Sequence, residues 1–242
     1  MDFGTNERLE FVADGHDGKC IDSHVSKYTK MMTYDNELNP LLHGASPQPL
    51  LMVISGPSGV GKDALLARLR ECAEDFHFVV TATSRPPRAT ETDGVDYFFY
   101  DNAGFESLIA HNELVEWAEV YGHYKGIPKH SIRSGFASGR NVILRIDVQG
   151  AATLKRLIPA AVQVFLAPGS MEELKLRLAG RGTESAEQFE RRMVHAEREM
   201  AQVKAFDYVV FNRNERLDDA VAQIRAIIVA EQQRVRPRRI VL

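Results

Sequence analysis

The stretch SGPSGVGKDALLARL, residues 55–69, limits the fold more than any other part of the chain. Gly56, Gly61 and Lys62 stand in G-x-x-x-x-G-K spacing. Before them, PLLMVIS (49–55) is an apolar run bounded by Pro and Gly, the pattern of a strand buried on both faces. After them, Leu65, Leu66 and Leu69 share one helical face. Strand, glycine turn and helix in this order aim successive backbone N–H groups at one spot, where the helix N-terminus adds partial positive charge. The reading is a loop that cradles nucleotide phosphates, formed by Gly56, Pro57, Ser58, Gly59, Val60, Gly61 and Lys62. A merely structural glycine turn would not require a lysine at its end.

The next residue breaks the usual pattern. Ser or Thr is expected there, with its hydroxyl on Mg²⁺; here it is Asp63. Two unit charges of like sign at 4 Å repel by about 4 kcal/mol at an effective dielectric of 20. Two placements avoid that cost. Asp63 is a ligand on the metal side, since hard cations prefer carboxylate oxygens, or it turns away at the helix N-terminus, where a carboxylate is favoured.

Strand and helix patterns alternate at both ends of the remaining chain. FHFVVTATS reads as a strand, and VDYFFYD alternates as a half-buried strand does. ELVEWAEVYGHYKG reads as a hairpin around Gly122. NVILRID, AVQVFLAP and YVVFN are buried strands, each followed by a helical pattern, and a long charged helix is expected from about Glu184 to Lys204. This predicts an α/β phosphate-loop fold with a doubly wound parallel sheet. A strand-rich insertion over residues 82–140 forms a small second sheet, and 180–200 forms a helical lid.

Composition narrows the class. The chain has 242 residues, 44% hydrophobic and 26% charged, with a net charge of −3. That is enough chain for one buried α/β core with an inserted subdomain, and the balance makes no case for nucleic acid or an anionic membrane as partner. No apolar run approaches the roughly 18 residues of a membrane span. Cys20 and Cys72 lack metal-ligand spacing, which fits a reducing compartment. Residues 1–48 are acidic and polar, without a secretory core and too acidic for a transit peptide, and read as a disordered extension. A lid or an oligomer contact is the sharper alternative. His16, His24 and His43 are too irregularly spaced for a metal site. The basic end, 235–242, reads as a solvated tail.

A second anion site is suggested by TATSRPPRATETDGVDYFF (81–99), where Arg85 and Arg88 lie three apart in a Pro-rich turn and Tyr97 opens a strand. Two guanidinium forks held there can grip one phosphate. On spacing alone, a surface arginine pair accounts for them equally well.

At this point the chain resembles a known family. GPSGVGK, TSRPPR..E.DGVDYFF, LVEWAEVYG..YKG, RIDVQGA and RLAGRGTES occur in the order and spacing of the guanylate kinases, over about Pro49 to Arg234. GKDAL, YKGIPK and LRIDVQGAATL resemble a variant subgroup with Gly-Lys-Asp in the phosphate loop, seen in plant organelles and some bacteria. The resemblance implies that Thr81, Arg85, Arg88 and Tyr97 bind GMP, the last three at its phosphate. It implies that Glu116 accepts from the guanine N1–H and amine, which adenine lacks. It assigns Arg181 and Arg192 to the lid as catalytic arginines beside Lys62, and Asn212 to the ATP base site. Arg177 is expected to be partly structural.

Two departures from the family stand out. Lys125, Gly126 and Ile127 replace its Tyr-Gly-Ser/Thr, so Lys125 would pair with the GMP phosphate while Ile127 cannot hydrogen-bond guanine. Arg145 replaces the first acid of an Asp-x-Asp pair, and Asp147 keeps the second. Asp147 is expected on the Mg²⁺ or guanine side, with Asp63 compensating the lost charge in a rearranged metal site.

The resulting expectation is an ATP-dependent guanylate kinase. It would transfer phosphate with Mg²⁺ from ATP to GMP or dGMP in purine nucleotide metabolism and GMP recycling. It would act as a cytoplasmic (alternatively organellar) monomer or homodimer, without nucleic acid or membrane. The rival readings are a non-catalytic interaction module of the same fold and a related small-molecule kinase such as a ribose-bisphosphate kinase.

Overall fold

The computed structural model describes residues 47–72, 76–120, 122–179 and 186–242. Most of the expected N-terminal extension, with its three histidines and Cys20, lies outside them, as does Arg181. The elements below are those among the described residues.

Strand β1 (Leu51–Ser55) is buried along its whole length. Its alternating side chains feed two cores. Met52 and Ile54 join one cluster with Leu65 and Leu69 of α1 (Lys62–Glu71) and Ile224 of α7 (Leu217–Gln232). Leu51 and Val53 join another with Ile132 of α3 (Lys129–Ala137) and Leu154 of α4 (Val148–Leu157). A period of two on a strand with no polar face requires cover on both sides, and helices supply it.

Around β1 runs a five-stranded sheet in the order β2-β7-β1-β8-β9, with β2 Phe76–Phe78, β7 Asn141–Arg145, β8 Val162–Pro168 and β9 Tyr208–Asn212. All its pairings are parallel. The doubly wound α/β fold read from the sequence is therefore the fold observed.

The second sheet has the order β4-β3-β6-β5, with β3 Thr81–Thr83, β4 Tyr97–Phe99, β5 Leu114–Val120 and β6 His123–Pro128. Its own small core holds Ala82, Phe105 and Leu114, with Phe105 stacked on Tyr124 at 5.2 Å. Phe105 comes from α2 (Asn102–Ala110), whose start is capped by Asp101 accepting the Gly104 N–H at 2.7 Å.

Three departures from the expected elements have physical causes. FHFVVTATS is two strands, not one: β2 lies in the main sheet and β3 in the small one. The turn between them is held by the Val79 N–H on the Ile143 carbonyl (2.9 Å) and the Val80 N–H on Ser131 Oγ (3.1 Å). Residues 129–137, expected to belong to the strand-rich insertion, form helix α3 and pack with the main core through Ile132. The charged helix, here α6 (Ala186–Met200), tightens into a 3₁₀ turn at Ala201–Ala205. Helix α5 is Met171–Ala179.

The C-terminal segment corrects an expectation. It is docked where a solvated tail was predicted. Ile240 and Leu242 pack on the α3–α4 side of the core, and Arg238 reaches the buried Glu231 with Nε–Oε2 at 2.8 Å and Nη2–Oε1 at 2.9 Å. Two apolar residues among the arginines made that possible. No helix among the described residues is long and apolar enough to cross a membrane.

Candidate active site

Parallel strands deliver their C-terminal ends to one edge of the sheet, and the site forms there. β1 ends at Ser55 and the chain turns through the phosphate loop. Gly56 has φ 145°, and a Cβ on it would lie 2.2 Å from the Leu166 carbonyl oxygen. Gly61 is left-handed at φ 96° and caps α1 through its backbone. A Cβ there would meet Asn212 Nδ2 at 2.4 Å. The glycines are therefore required by close approach as much as by φ.

Asn212, expected at the ATP base, is a buried brace. Its Nδ2 donates to the Val60 carbonyl at 2.8 Å. Arg177 donates to the same carbonyl (3.0 Å), to the Asn212 carbonyl (2.7 Å) and to Asn214 Oδ1 (2.8 and 3.0 Å). The structural share expected of Arg177 is this lashing of the loop to β9.

Lys62 turns its ammonium onto the Gly56 and Pro57 carbonyls at 2.6 and 3.0 Å. Burial lowers its pKa below the ordinary lysine value, and Arg145 pushes the same way. Glu199 gives the largest opposing effect, ahead of Asp63 and Asp147. Glu199, on α6, also accepts the Ser58 N–H at 3.0 Å.

A cleft of about 280 Å³ opens beside Lys62 and reaches the second sheet. It brings together Thr81, Tyr97, Glu116, Lys125 and Asp147 from the predicted set. Ile127 is buried in its wall. Burial, then the Asp147 charge, raises the Glu116 carboxyl above its ordinary pKa. Asp147 caps α4, accepting the Gly150 N–H at 2.8 Å.

Arg85 adjoins the cleft, with its guanidinium 5.1 Å from the Tyr97 ring centre. Both its terminal nitrogens are held by Glu91, at 2.6 and 2.7 Å, and Glu91 also accepts the Arg88 N–H at 2.8 Å. The Arg85 hydrogen bonds, then the Arg88 N–H, lower the Glu91 carboxyl to about 2. The Arg88 side chain is exposed, and Arg192 is half-buried on α6.

Asp63 neither faces the cleft alone nor joins a cluster of acids. Its Oδ1 pairs with Arg145 Nη1 at 2.9 Å. Two of the residues that depart from the family pattern are therefore partners. Among the described residues no group of three or more His, Cys, Asp or Glu side chains is placed to hold a metal.

Sequence reasoning missed Glu91 and Glu199. Glu91 stood inside a quoted motif but was given no role. Glu199 gave no signal, because it meets Ser58 from 141 positions away.

A phosphate loop at the edge of a doubly wound sheet, opening on a cleft walled by a second small sheet, defines a phosphate-loop nucleotide-binding protein with two adjoining sites. The comparisons narrow this further. A model of the family described as Guanylate kinase matches residues 48–231. Guanylate kinase 2, chloroplastic/mitochondrial, of Oryza sativa is 48% identical over 193 residues, 79% of this chain and 68% of the relative. Guanylate kinase of Caldanaerobacter subterraneus is 45% identical over 188 residues, 78% and 90% of the two chains. The crystal structure of guanylate kinase from Anaplasma phagocytophilum superposes with a TM-score of 0.61 at 30% identity, covering 78% and 89%. The chain belongs to the guanylate kinase family.

Proposed function

We propose that this protein transfers the terminal phosphoryl group of ATP to GMP or dGMP, giving ADP and GDP or dGDP. The observation that carries this is the single cleft joining Lys62 of the phosphate loop to Glu116 and Asp147 of the acceptor side. A donor triphosphate on the loop and an acceptor in the cleft bring their phosphates together, and positioning supplies much of the rate in such transfers.

In this reading the N–H groups of Gly56, Ser58, Gly59, Val60 and Gly61 hold the donor phosphates, Pro57 having none to give, and Lys62 leaves its two carbonyls for phosphate oxygens. Arg85, Arg88 and Tyr97 hold the acceptor phosphate, with Thr81 and Lys125 beside it. Glu116 accepts from the guanine N1–H and amine. Arg192 closes from α6, and the lid role of Arg181 stands on family resemblance. No general base is required, because the acceptor phosphate is already ionised near neutral pH.

Magnesium, carried on the ATP phosphates, would supply charge neutralisation. Such ions keep most of their shell in phosphate and water and use one or two protein carboxylates. Asp147 at the cleft fits that modest demand, while Asp63 is engaged by Arg145. We read the enzyme as a monomer or homodimer acting free of nucleic acid and membrane, in the cytoplasm or, as the rice relative's name indicates for that protein, in an organelle.

The test is ADP release from ATP with GMP, dGMP, AMP or ribose bisphosphate as acceptor. GMP and dGMP should support turnover, and AMP should be at least about 10³-fold poorer in kcat/KM. Absence of turnover with GMP would leave the interaction-module reading in its place.

A further inference from the structure

Arg145 ends β7, which pairs with β1 so that Ile54 lies opposite Arg145. Seven residues beyond Ser55, α1 begins with Lys62 and Asp63. The parallel register therefore sets an arginine and an aspartate side by side at the mouth between loop and cleft. Arg145 lines the cleft together with Lys62, Tyr97 and Asp147, and its charge is felt at Lys62.

The pair is exposed, 39% for the Arg145 side chain and 78% for Asp63. Ion pairs this exposed add little to stability. Packing the end of a strand does not require a guanidinium either. What the pair does is hold a cation of fixed charge, with further donors to spare, where donor and acceptor phosphates would meet.

We propose that Arg145 is a catalytic residue that contacts the phosphoryl group in transit, and that Asp63 is a positioning residue that holds its guanidinium at the mouth of the cleft. When phosphates enter, Arg145 turns one face of its fork to phosphate oxygen while Asp63 keeps the other. Asp63, neutralised by Arg145, then does not repel the nucleotide. This rests on the proposed phosphoryl transfer and adds a residue and an orienting partner to it.

Four variants test it: Arg145→Ala, Arg145→Lys, Asp63→Ala and the exchanged pair Asp63→Arg with Arg145→Asp. Loss of one charge-stabilising donor aimed at the transition state costs about 10²-fold or more. Arg145→Ala should therefore lower kcat about 10²-fold, with both KM values within about fivefold. Arg145→Lys should recover about tenfold of that loss, and Asp63→Ala should cost about tenfold in kcat. The exchanged pair restores an ion pair and should melt within about 2 °C of wild type, but it should stay as slow as Arg145→Ala.

Wild-type turnover in the exchanged pair would reduce the contact to a surface ion pair and overturn the proposal. So would an Arg145→Ala kcat within about threefold of wild type, or a loss confined to KM. Binding of inorganic triphosphate to the same proteins, by calorimetry, separates this from failure of the proposed function. If wild type does not turn over GMP, weaker triphosphate binding by about threefold in Arg145→Ala still supports the arginine's phosphate role, and unchanged binding overturns it.

Discussion

The Glu199 carboxylate accepts the backbone N–H of Ser58 at 3.0 Å, so an acid from α6 fills one donor of the phosphate loop. Its charge also raises the pKa of Lys62 against the effect of burial. A nucleotide triphosphate entering the loop must displace this carboxylate or tolerate it nearby. Glu199→Gln keeps an acceptor for Ser58 and removes the like charge. Relief of about 1 kcal/mol, reasonable for a partly solvated pair of charges, corresponds to about fivefold. We expect the KM for ATP to fall by about that factor at saturating GMP. Steady-state kinetics checks this, and a raised KM would show that Glu199 supports the loop instead of competing for it.

Glu91 plays a comparable part on the proposed acceptor side. It binds Arg85 through both carboxylate oxygens and tethers the Arg88 backbone. Because its pKa is lowered to about 2 from 4.5, the pairing is complete above pH 4.5 and is lost only as pH falls toward 2. It is therefore constant across any practical assay. Glu91→Ala should free the Arg85 fork to wander and raise the KM for GMP about tenfold, with the KM for ATP unchanged. Initial rates with each substrate varied in turn decide this.

Glu116 supplies a pH signature. Burial first, and the Asp147 charge second, push its carboxyl above the ordinary value of 4.5. Only the carboxylate accepts two hydrogen bonds from guanine, so kcat/KM for GMP should fall as pH drops through that raised pKa. The midpoint should lie above 4.5 in the free enzyme. Glu116→Gln should abolish this inflection and lower kcat/KM for GMP by about 10²-fold or more, since an unmatched buried polar pair is strongly rejected. A pH–rate profile of both proteins is the measurement.

How far the sequence could be read depended on the range of the interaction. G-x-x-x-x-G-K between a strand and a helix is a local pattern, and the parallel sheet follows from alternation that each segment carries in itself. Tyr97, Glu116 and Asp147, proposed as acceptor residues, required only family spacing to be placed in one cleft. Contacts between distant segments were not legible. Asn212 was read as a base contact because its position after a strand does not reveal that its amide points back to Val60. Asp63 looked like half of a metal site because charge can be counted in a sequence but a register cannot. It took the β1–β7 pairing to bring Arg145 beside it. The run FHFVVTATS carries the same β pattern throughout, and nothing in it marks Val79 and Val80 as the crossing between two sheets.

The docked C-terminus yields a stability prediction. Glu231 is 1% exposed and bonds Arg238 twice, and it also accepts the Tyr208 hydroxyl at 2.6 Å. Arg238, Glu231 and Tyr208 thus tie the tail to α7 and β9. Breaking a buried pair costs about 3 kcal/mol when the remaining charge is uncompensated. Arg234 Nη1, 3.5 Å from Glu231 Oε2, stays as a second partner and offsets part of that. Arg238→Ala should therefore lower Tm by several degrees, up to roughly 6–12 °C for a domain of this size. The Arg238 hydrogen bonds are also the main reason the Glu231 pKa is lowered. For a carboxyl with a lowered folded pKa, the stabilisation is present above its unfolded value of 4.5 and is lost as pH falls below it through the folded value. The gap in stability between wild type and Arg238→Ala should therefore be full at pH 7 and shrink below about pH 4.5. Thermal melts of both proteins between about pH 3 and pH 8 measure this, and a difference under about 1 kcal/mol at pH 7 would mean that the tail is solvated after all.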